Sequence, residues 1–325
     1  MLPVLITIDT EYSAGLYARG SGRDRLRNFD VAIACRGKNG EETGIHYQMD
    51  VFDRHGIRAV FFVDPMPALV WGQDAVDQVV KPIMERGHEV QLHLHTEWLA
   101  FAENNPLGDR TGRNMQDFTR EEQRILLDYG AEKLVAAGAP FPLAFRAGNY
   151  GANDDTLLAL ADCGIVYDSS FPAGLVGGDC AVGLPPGNCM PVSRGPVAEL
   201  PIAAIEAVGG GYRHGQITAL SAWEMQAAVR HAALGGWPAF VLVSHSFELF
   251  NRVRGVANVV VRRRFERFCT WLGACGIARG TGFAALDLDP CNGPEAGKAA
   301  KLLPHNALRT MHRMAEQLVS KGLYG

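Results

Sequence analysis

Short runs with strand character alternate with helical patterns from Val4 to Leu286 of this 325-residue chain, and that alternation restricts it to parallel βα units. Strands are predicted at Val4–Ile8, Arg58–Val63, Val90–Leu94, Leu143–Arg146, Ile165–Tyr167, Glu199–Ile202, Ala239–Val243 and, last and short, Gly282–Leu286. Helices are predicted near 46–55, 75–86, 120–137, 154–163, 222–233 and 262–275, the third capped by Thr119 with Glu121 and Glu122 in its first turn. About seven such units fit a distorted (β/α) barrel. A dinucleotide-binding sheet is disfavoured, because no glycine-rich phosphate loop follows the first strand. Residues 1–290 are assigned to the barrel and 291–325 to a C-terminal helical extension. There Leu308, Met311, Ala315 and Leu318 recur at helical spacing, suiting a helix packed on the barrel or on a second copy in a homo-oligomer. Two stretches lack either period. Residues 12–44 are polar and glycine-rich and are expected to form a long loop over the active-site mouth. Its Tyr17, Arg19, Arg23, Asp24, Arg25 and Arg27 suit a lid that reads a sugar or an anionic carrier group. Residues 171–196 read as a surface excursion.

Composition excludes several classes. The formal net charge is −4, so there is no basic field to hold nucleic acid. Seven cysteines without a Cys-x-x-Cys pair argue against a disulfide framework or a cysteine zinc site. The N-terminus lacks the basic segment of a signal peptide, and no apolar run reaches transmembrane length. A cytoplasmic location is therefore expected.

The ends of the strands carry the chemistry. In Val90-Gln91-Leu92-His93-Leu94-His95-Thr96-Glu97 one face is aliphatic, and the other presents His93 and His95 one pleat apart, with Glu97 just beyond. Imidazole and carboxylate are ligands for a divalent metal such as zinc. Asp9 and Glu11 close the first strand, Arg146 the next after the histidines, then Asp168, and His245 the last long one. Barrel enzymes gather their reacting groups at such positions. An acid and imidazoles can hold a metal, and a second carboxylate can take a proton from water. An arginine keeps that carboxylate ionised, and a separate histidine can protonate a leaving group.

These motifs resemble the polysaccharide deacetylases with a NodB-homology domain, carbohydrate esterase family 4, over roughly residues 3–288. The segments are Thr7-Ile8-Asp9-Thr10-Glu11, Gly87-His88-Glu89-Val90-Gln91-Leu92-His93, Phe145-Arg146-Ala147-Gly148-Asn149-Tyr150-Gly151 and Val243-Ser244-His245-Ser246-Phe247-Glu248. The resemblance implies Asp9 as catalytic base, Arg146 as the group that steadies it and His245 as general acid. It implies a metal held by Glu11, His93 and either His95 or Glu97. Zinc is the first choice, with cobalt, nickel or manganese as alternatives. Backbone N–H groups near Asn149 or Tyr150 would help to hold the oxyanion. Two departures stand out: Asp9-Thr10-Glu11 replaces an Asp-Asp pair, and the family's second metal histidine falls on Glu97. The acid and aromatic that tune the general acid have only Asp168 and Trp223 as candidates.

The expected activity is removal of an N-acetyl or N-formyl group from an amino sugar, nucleotide- or lipid-linked, in envelope polysaccharide synthesis such as O-antigen or capsule. One alternative is a metal-independent amidohydrolase of the same barrel acting on a small cyclic amide or ureide. The other is a catalytically silent carbohydrate-binding relative.

Overall fold

A computed structural model describes residues 1–175, 177–288 and 301–324. In chain order its strands are β1 (Leu2–Thr10), β2 (Val60–Val63), β3 (Glu89–Leu94), β4 (Ala144–Ala147), β5 (Tyr167–Asp168), β6 (Val192–Arg194), β7 (Val197–Glu199), β8 (Ala204–Glu206), β9 (Tyr212–His214), β10 (Phe240–His245), β11 (Phe250–Asn251), β12 (Val256–Ala257) and β13 (Ala278–Gly280). The helices are α1 (Ala14–Ala18), α2 (Arg25–Ala32), α3 (Ile45–Arg54), α4 (Ala68–Trp71), α5 (Gln73–Glu85), α6 (Arg120–Ala136), α7 (Asp154–Asp162), α8 (Ala222–Leu234), α9 (Val259–Ala274) and α10 (Ala307–Tyr324).

Seven strands run parallel in the order β10-β1-β2-β3-β4-β5-β7, with β6 antiparallel on the outer edge and β13 paired to the first residues of β1. The sheet curls into a distorted half-barrel. Across the remaining gap no ladder forms among the described residues, which are joined there by isolated bridges from Ile202 to Val241 and from Gln216 to Val243.

Strand alternation divides the interior in two. Val4, Ile6, Ile8, Phe61, Leu92, Leu94, Phe145 and Leu242 point outward and pack under the helices. Leu5, Val60, Phe62, Ala144, Val241 and Val243 point inward and fill the barrel floor. Each such buried aliphatic side chain contributes about 1.5–3 kcal/mol. On the same inward rows the residues nearer the C-terminal ends are polar: Thr7 and Asp9, Gln91 and His93, Arg146, and His245. Parallel register sets Asp9 level with His245 and His93 level with Arg146. The floor thus supports the site directly.

Three expectations need correction. Residues 12–44 are not an open loop: α1 and α2 form there, capped by Ser13 and Asp24, and Tyr12, Phe29, Ile33 and Cys35 are buried. Tyr12 and Tyr17 pack against Trp71, and Tyr17 also meets Trp98 and Phe101. The final strand lies at Ala278–Gly280 rather than 282–286. Glu89 accepts hydrogen bonds from the Phe283 and Ala284 amides (2.8 and 3.3 Å), and residues Phe283–Ala285 wind into a 3-10 turn. The 171–196 excursion is anchored, burying Phe171, Ala173, Val182 and Cys189 and donating β6 to the sheet. The expected domain boundary at 290 lies outside the described residues.

Candidate active site

Asp9 sits at the centre of the C-terminal mouth of the barrel. Its Oδ1 accepts from Arg146 Nη1 at 2.6 Å, and its Oδ2 faces His245 Nε2 at 3.8 Å. Arg146 is fully buried, and its remaining donors go to Thr7 Oγ1 (2.9 Å), the Ser169 carbonyl (3.0 Å) and Ser169 Oγ (3.1 Å). The Phe62 ring lies beneath the guanidinium, 4.3 Å from its carbon. A guanidinium held on every side cannot rotate away, so the carboxylate it grips is fixed in orientation.

His245 carries its own carboxylate. Nδ1 lies 3.0 Å from Glu248 Oε1, and Glu248 is held by Ser244 Oγ at 2.9 Å and by Gln216. Burial pushes the His245 pKa down, but Glu248, Asp9 and Glu11 together outweigh it and raise the pKa to about 9. The imidazole is therefore a proton donor at neutral pH.

Beside this pair, ligand atoms of Glu11, His93 and His95 all lie within 4.8 Å of one another. Glu11 Oε2 is 3.1 Å from His93 Nε2 and 2.6 Å from His95 Nε2. His93 Nδ1 lies 2.7 Å from the Arg146 carbonyl, which can only accept, so that nitrogen carries the hydrogen. His95 Nδ1 lies 3.2 Å from Glu97 Oε2, which likewise calls for a donor. The two Nε2 lone pairs of the neutral rings are thus left facing the Glu11 carboxylate. Three electron-rich atoms converging on one point need a cation between them, and the carbonyl and carboxylate behind the rings are the usual outer partners of metal-bound histidines. These residues fit a divalent metal. Without one, protons fill the role: His95 is raised well above its ordinary pKa, as Glu11 and Glu97 overcome burial, and Glu11 is held well below its own, as His95 and His93 overcome burial.

Glu97 stands behind His95 rather than beside His93. Strand β3 stops at Leu94 and the chain turns into a 3-10 helix over Thr96–Phe101, which leaves His95 next to His93 and swings Glu97 outward. Glu97 is in turn held by Asn149 Nδ2 at 2.9 Å. Asn149 and Tyr150 both have left-handed backbones (φ 56° and 57°), unusual for residues with a Cβ. Gly148 before them has no alternative, since a Cβ there would lie 2.7 Å from the Leu94 carbonyl and 2.9 Å from the His95 ring.

Asp168 is elsewhere than the tuning role requires. Its oxygens accept from Ser170 Oγ (2.7 Å) and Ser170 N (3.2 Å); burial raises its pKa, and burial together with Asp168 raises that of Glu199 strongly. Trp223 lies outside the site, half-exposed against His312 of α10.

Three residues were not anticipated. Glu248 closes the Val243–Glu248 segment, and its partnership with His245 shows only in the folded distances. Asp64 follows β2 directly, and an acid at a strand end is a signal readable in the sequence. It is buried, and burial, opposed by His95 and His93, lifts its pKa to about 7; its Oδ2 has no partner among the described residues. His214, on β9, lies 3.2 Å from Tyr150 Oη, and burial and Arg146 push it down to about 3. It is reached only through an irregular segment that carries no periodicity to read.

No family model and no curated protein matches the sequence. Among solved structures, a protein from Mycobacterium smegmatis assigned provisionally as a polysaccharide deacetylase superposes with a TM-score of 0.52 at 16% identity, over 87% of each chain. The fold is NodB-like. A family 4 carbohydrate esterase from Streptomyces lividans, in complex with acetate, gives a TM-score of 0.42 at 11% identity over 93% of this chain and 98% of its own. A 4-alpha-glucanotransferase from Thermococcus litoralis gives 0.47 at 11% identity over 87% of this chain and 39% of its own. At such identities the NodB-like likeness speaks for architecture, and activity has to be argued from the site.

Proposed function

We propose that this chain is a metal-dependent hydrolase that removes the N-acyl group, acetyl or formyl, from an amino sugar. One observation carries the reading: Asp9, clamped by Arg146 and facing His245, stands beside the cation-shaped convergence of Glu11, His93 and His95. A base, an acid and a Lewis-acid seat in one mouth are what amide hydrolysis needs. The resemblance of the four motifs and the NodB-like fold support the same chemistry.

Glu11, His93 and His95 would hold a divalent ion, zinc by the two imidazoles and one carboxylate, which would supply Lewis acidity. The protein's own groups do the rest. Asp9 Oδ2 accepts a proton from the attacking water, and Arg146 keeps that carboxylate ionised and oriented until then. Backbone N–H groups in the turn at Asn149 and Tyr150 assist at the developing oxyanion. His245 Nε2 delivers its proton to the amine nitrogen as the carbon–nitrogen bond breaks, giving a carboxylate and a free amino sugar. The substrate we favour is a nucleotide- or lipid-linked precursor of an envelope polysaccharide, met in the cytoplasm. The described cysteines are all unpaired thiols, as suits a reducing compartment.

Release of acetate or formate from N-acylated amino-sugar precursors, followed with and without chelator, tests the proposal. His245→Ala is expected to lower turnover by about 10²–10⁴-fold. Full turnover after exhaustive chelation would overturn the metal dependence and favour the metal-independent amidohydrolase. Sugar binding without turnover under any metal would favour the silent relative.

A further inference from the structure

Helix α10 is mounted with its apolar side outward. The positions turned toward the barrel recur at Arg309, Arg313, Glu316, Ser320 and Tyr324, a helical spacing made of polar residues. Arg313 is buried and its Nε lies 3.5 Å from Glu224 of α8. Glu316 accepts from Arg264 of α9 at 2.8 Å, and Tyr324 Oη donates to the Ala257 carbonyl at 2.9 Å. The opposite face carries Leu308, Met311, Met314, Leu318, Val319 and Leu323, which are 64%, 63%, 52%, 71%, 56% and 47% exposed. Scattered exposed leucines need no explanation. A continuous stripe along an 18-residue helix does.

The unpaired charges around the stripe are cationic; Glu316, which also lines the groove, is bound to Arg264. Arg263 and Arg267, one turn apart on α9, line a shallow groove with Ala315 and Val319, and Lys321 lies beside Met314 and Leu318 on the other flank. None of these three cations has an acidic partner among the described residues. The acids of the same two helices are engaged, Glu266 with Tyr47 and Glu316 with Arg264. Trp223, 43% exposed, meets His312 of the groove edge-on and adds an indole beside it. The whole chain has a net charge of −4, so this cationic face is a local arrangement.

We propose that the outer face of α10, with the flanking Arg263, Arg267 and Lys321, docks on an anionic phospholipid surface. The apolar stripe suits acyl chains, the cations suit lipid phosphates, and the two together describe a helix lying in the plane of a membrane interface. It does not cross: no described helix is long and apolar enough for that. Charge complementarity selects the lipid over a second copy of the chain, because a two-fold pairing through this face would bring unpaired cations against one another.

Flotation of the full chain with vesicles is the test, and it reads binding independently of any turnover. The protein should float with phosphatidylcholine vesicles containing phosphatidylglycerol, and not with pure phosphatidylcholine, and added salt should release it. Met311→Glu with Leu318→Glu should abolish flotation while leaving the circular dichroism and thermal midpoint in place, since both side chains are exposed. Arg263→Gln and Arg267→Gln should each weaken binding about fivefold. The proposal is overturned if the unaltered chain does not float, or if the glutamate pair floats equally well. It is also overturned if sedimentation velocity reveals a dimer that the glutamate pair dissociates and vesicles never bind.

Discussion

At the scale of single residues, the site is organised by what stands behind each polar side chain. His245 acquires its high pKa from Glu248, a residue three positions along the chain, against the opposing pull of burial. In the proposed role it must be protonated to act, so activity should persist through neutral pH and decline as pH rises through about 9. Glu248→Gln removes the main raising influence and should shift that decline to lower pH, which a pH–rate profile would detect; an unmoved profile would detach Glu248 from the acid. The stability linkage has the same sign. The gain from protonated His245 is complete below its unfolded pKa of about 6.5 and is lost as pH rises through about 9. The strand-end rule made Asp9, His93, Arg146 and His245 legible, because inward-facing polar residues above an apolar floor are conspicuous in sequence. The choice between His95 and Glu97 was not. It depends on the chain leaving the β3 pleat at Leu94, and neither spacing nor side-chain type records where a pleat ends.

At the scale of elements, the segment 12–44 shows where sequence reading falls short. Its helices are short, and their caps, Ser13 and Asp24, are ordinary turn residues; what holds them is distant, Tyr17 of α1 against Trp71, Trp98 and Phe101, and Trp71 Nε1 donating to the Arg23 carbonyl ahead of α2. One buried side chain latches the segment. Asn28 Oδ1 accepts from Ser13 N at 2.8 Å, and its Nδ2 donates to the Ser13 and Gly22 carbonyls at 3.1 and 3.0 Å. Asn28→Ala would strand those groups at a cost of about 1–3 kcal/mol. Hydrogen exchange should then accelerate through residues 13–32 while the β3 amides keep their protection; uniform acceleration everywhere would contradict a local latch. The final strand teaches a related lesson. Residues 282–286 have strand composition, but Glu89 claims two of their amides, and a buried carboxylate outweighs local propensity.

At the scale of the whole molecule, the alternation of strand and helix patterns made the barrel legible, since parallel βα units admit few other arrangements. The attachment of α10 was not legible. Its apolar spacing suggested a buried face, whereas the structure buries the polar one and ties it to α9 through Arg264, which also donates to the Ile217 and Thr218 carbonyls at 3.0 and 2.9 Å. Arg264→Met would leave Glu316 without its partner and should cost about 3–5 kcal/mol, toward the lower end because Glu316 is partly exposed. A lowered thermal midpoint, with limited proteolysis cutting first before or within α10, is the expected result. Cleavage starting in the barrel strands instead would show that the pair is not what fastens the helix.

The isolated bridges that link Ile202 to Val241 and Gln216 to Val243 have a consequence for how such a scaffold changes over time. A wall stitched at separate points tolerates insertions and lost residues between the stitches, which a continuous ladder would not. His93 and Arg146 ride on the continuous side, while His245 stands on β10 itself, two residues beyond the stitch at Val243 and level with Asp9. Change along that seam is therefore free with respect to His93 and Arg146 but constrained at Gln216, which is both a stitch to Val243 and a partner of the Glu248 that holds His245.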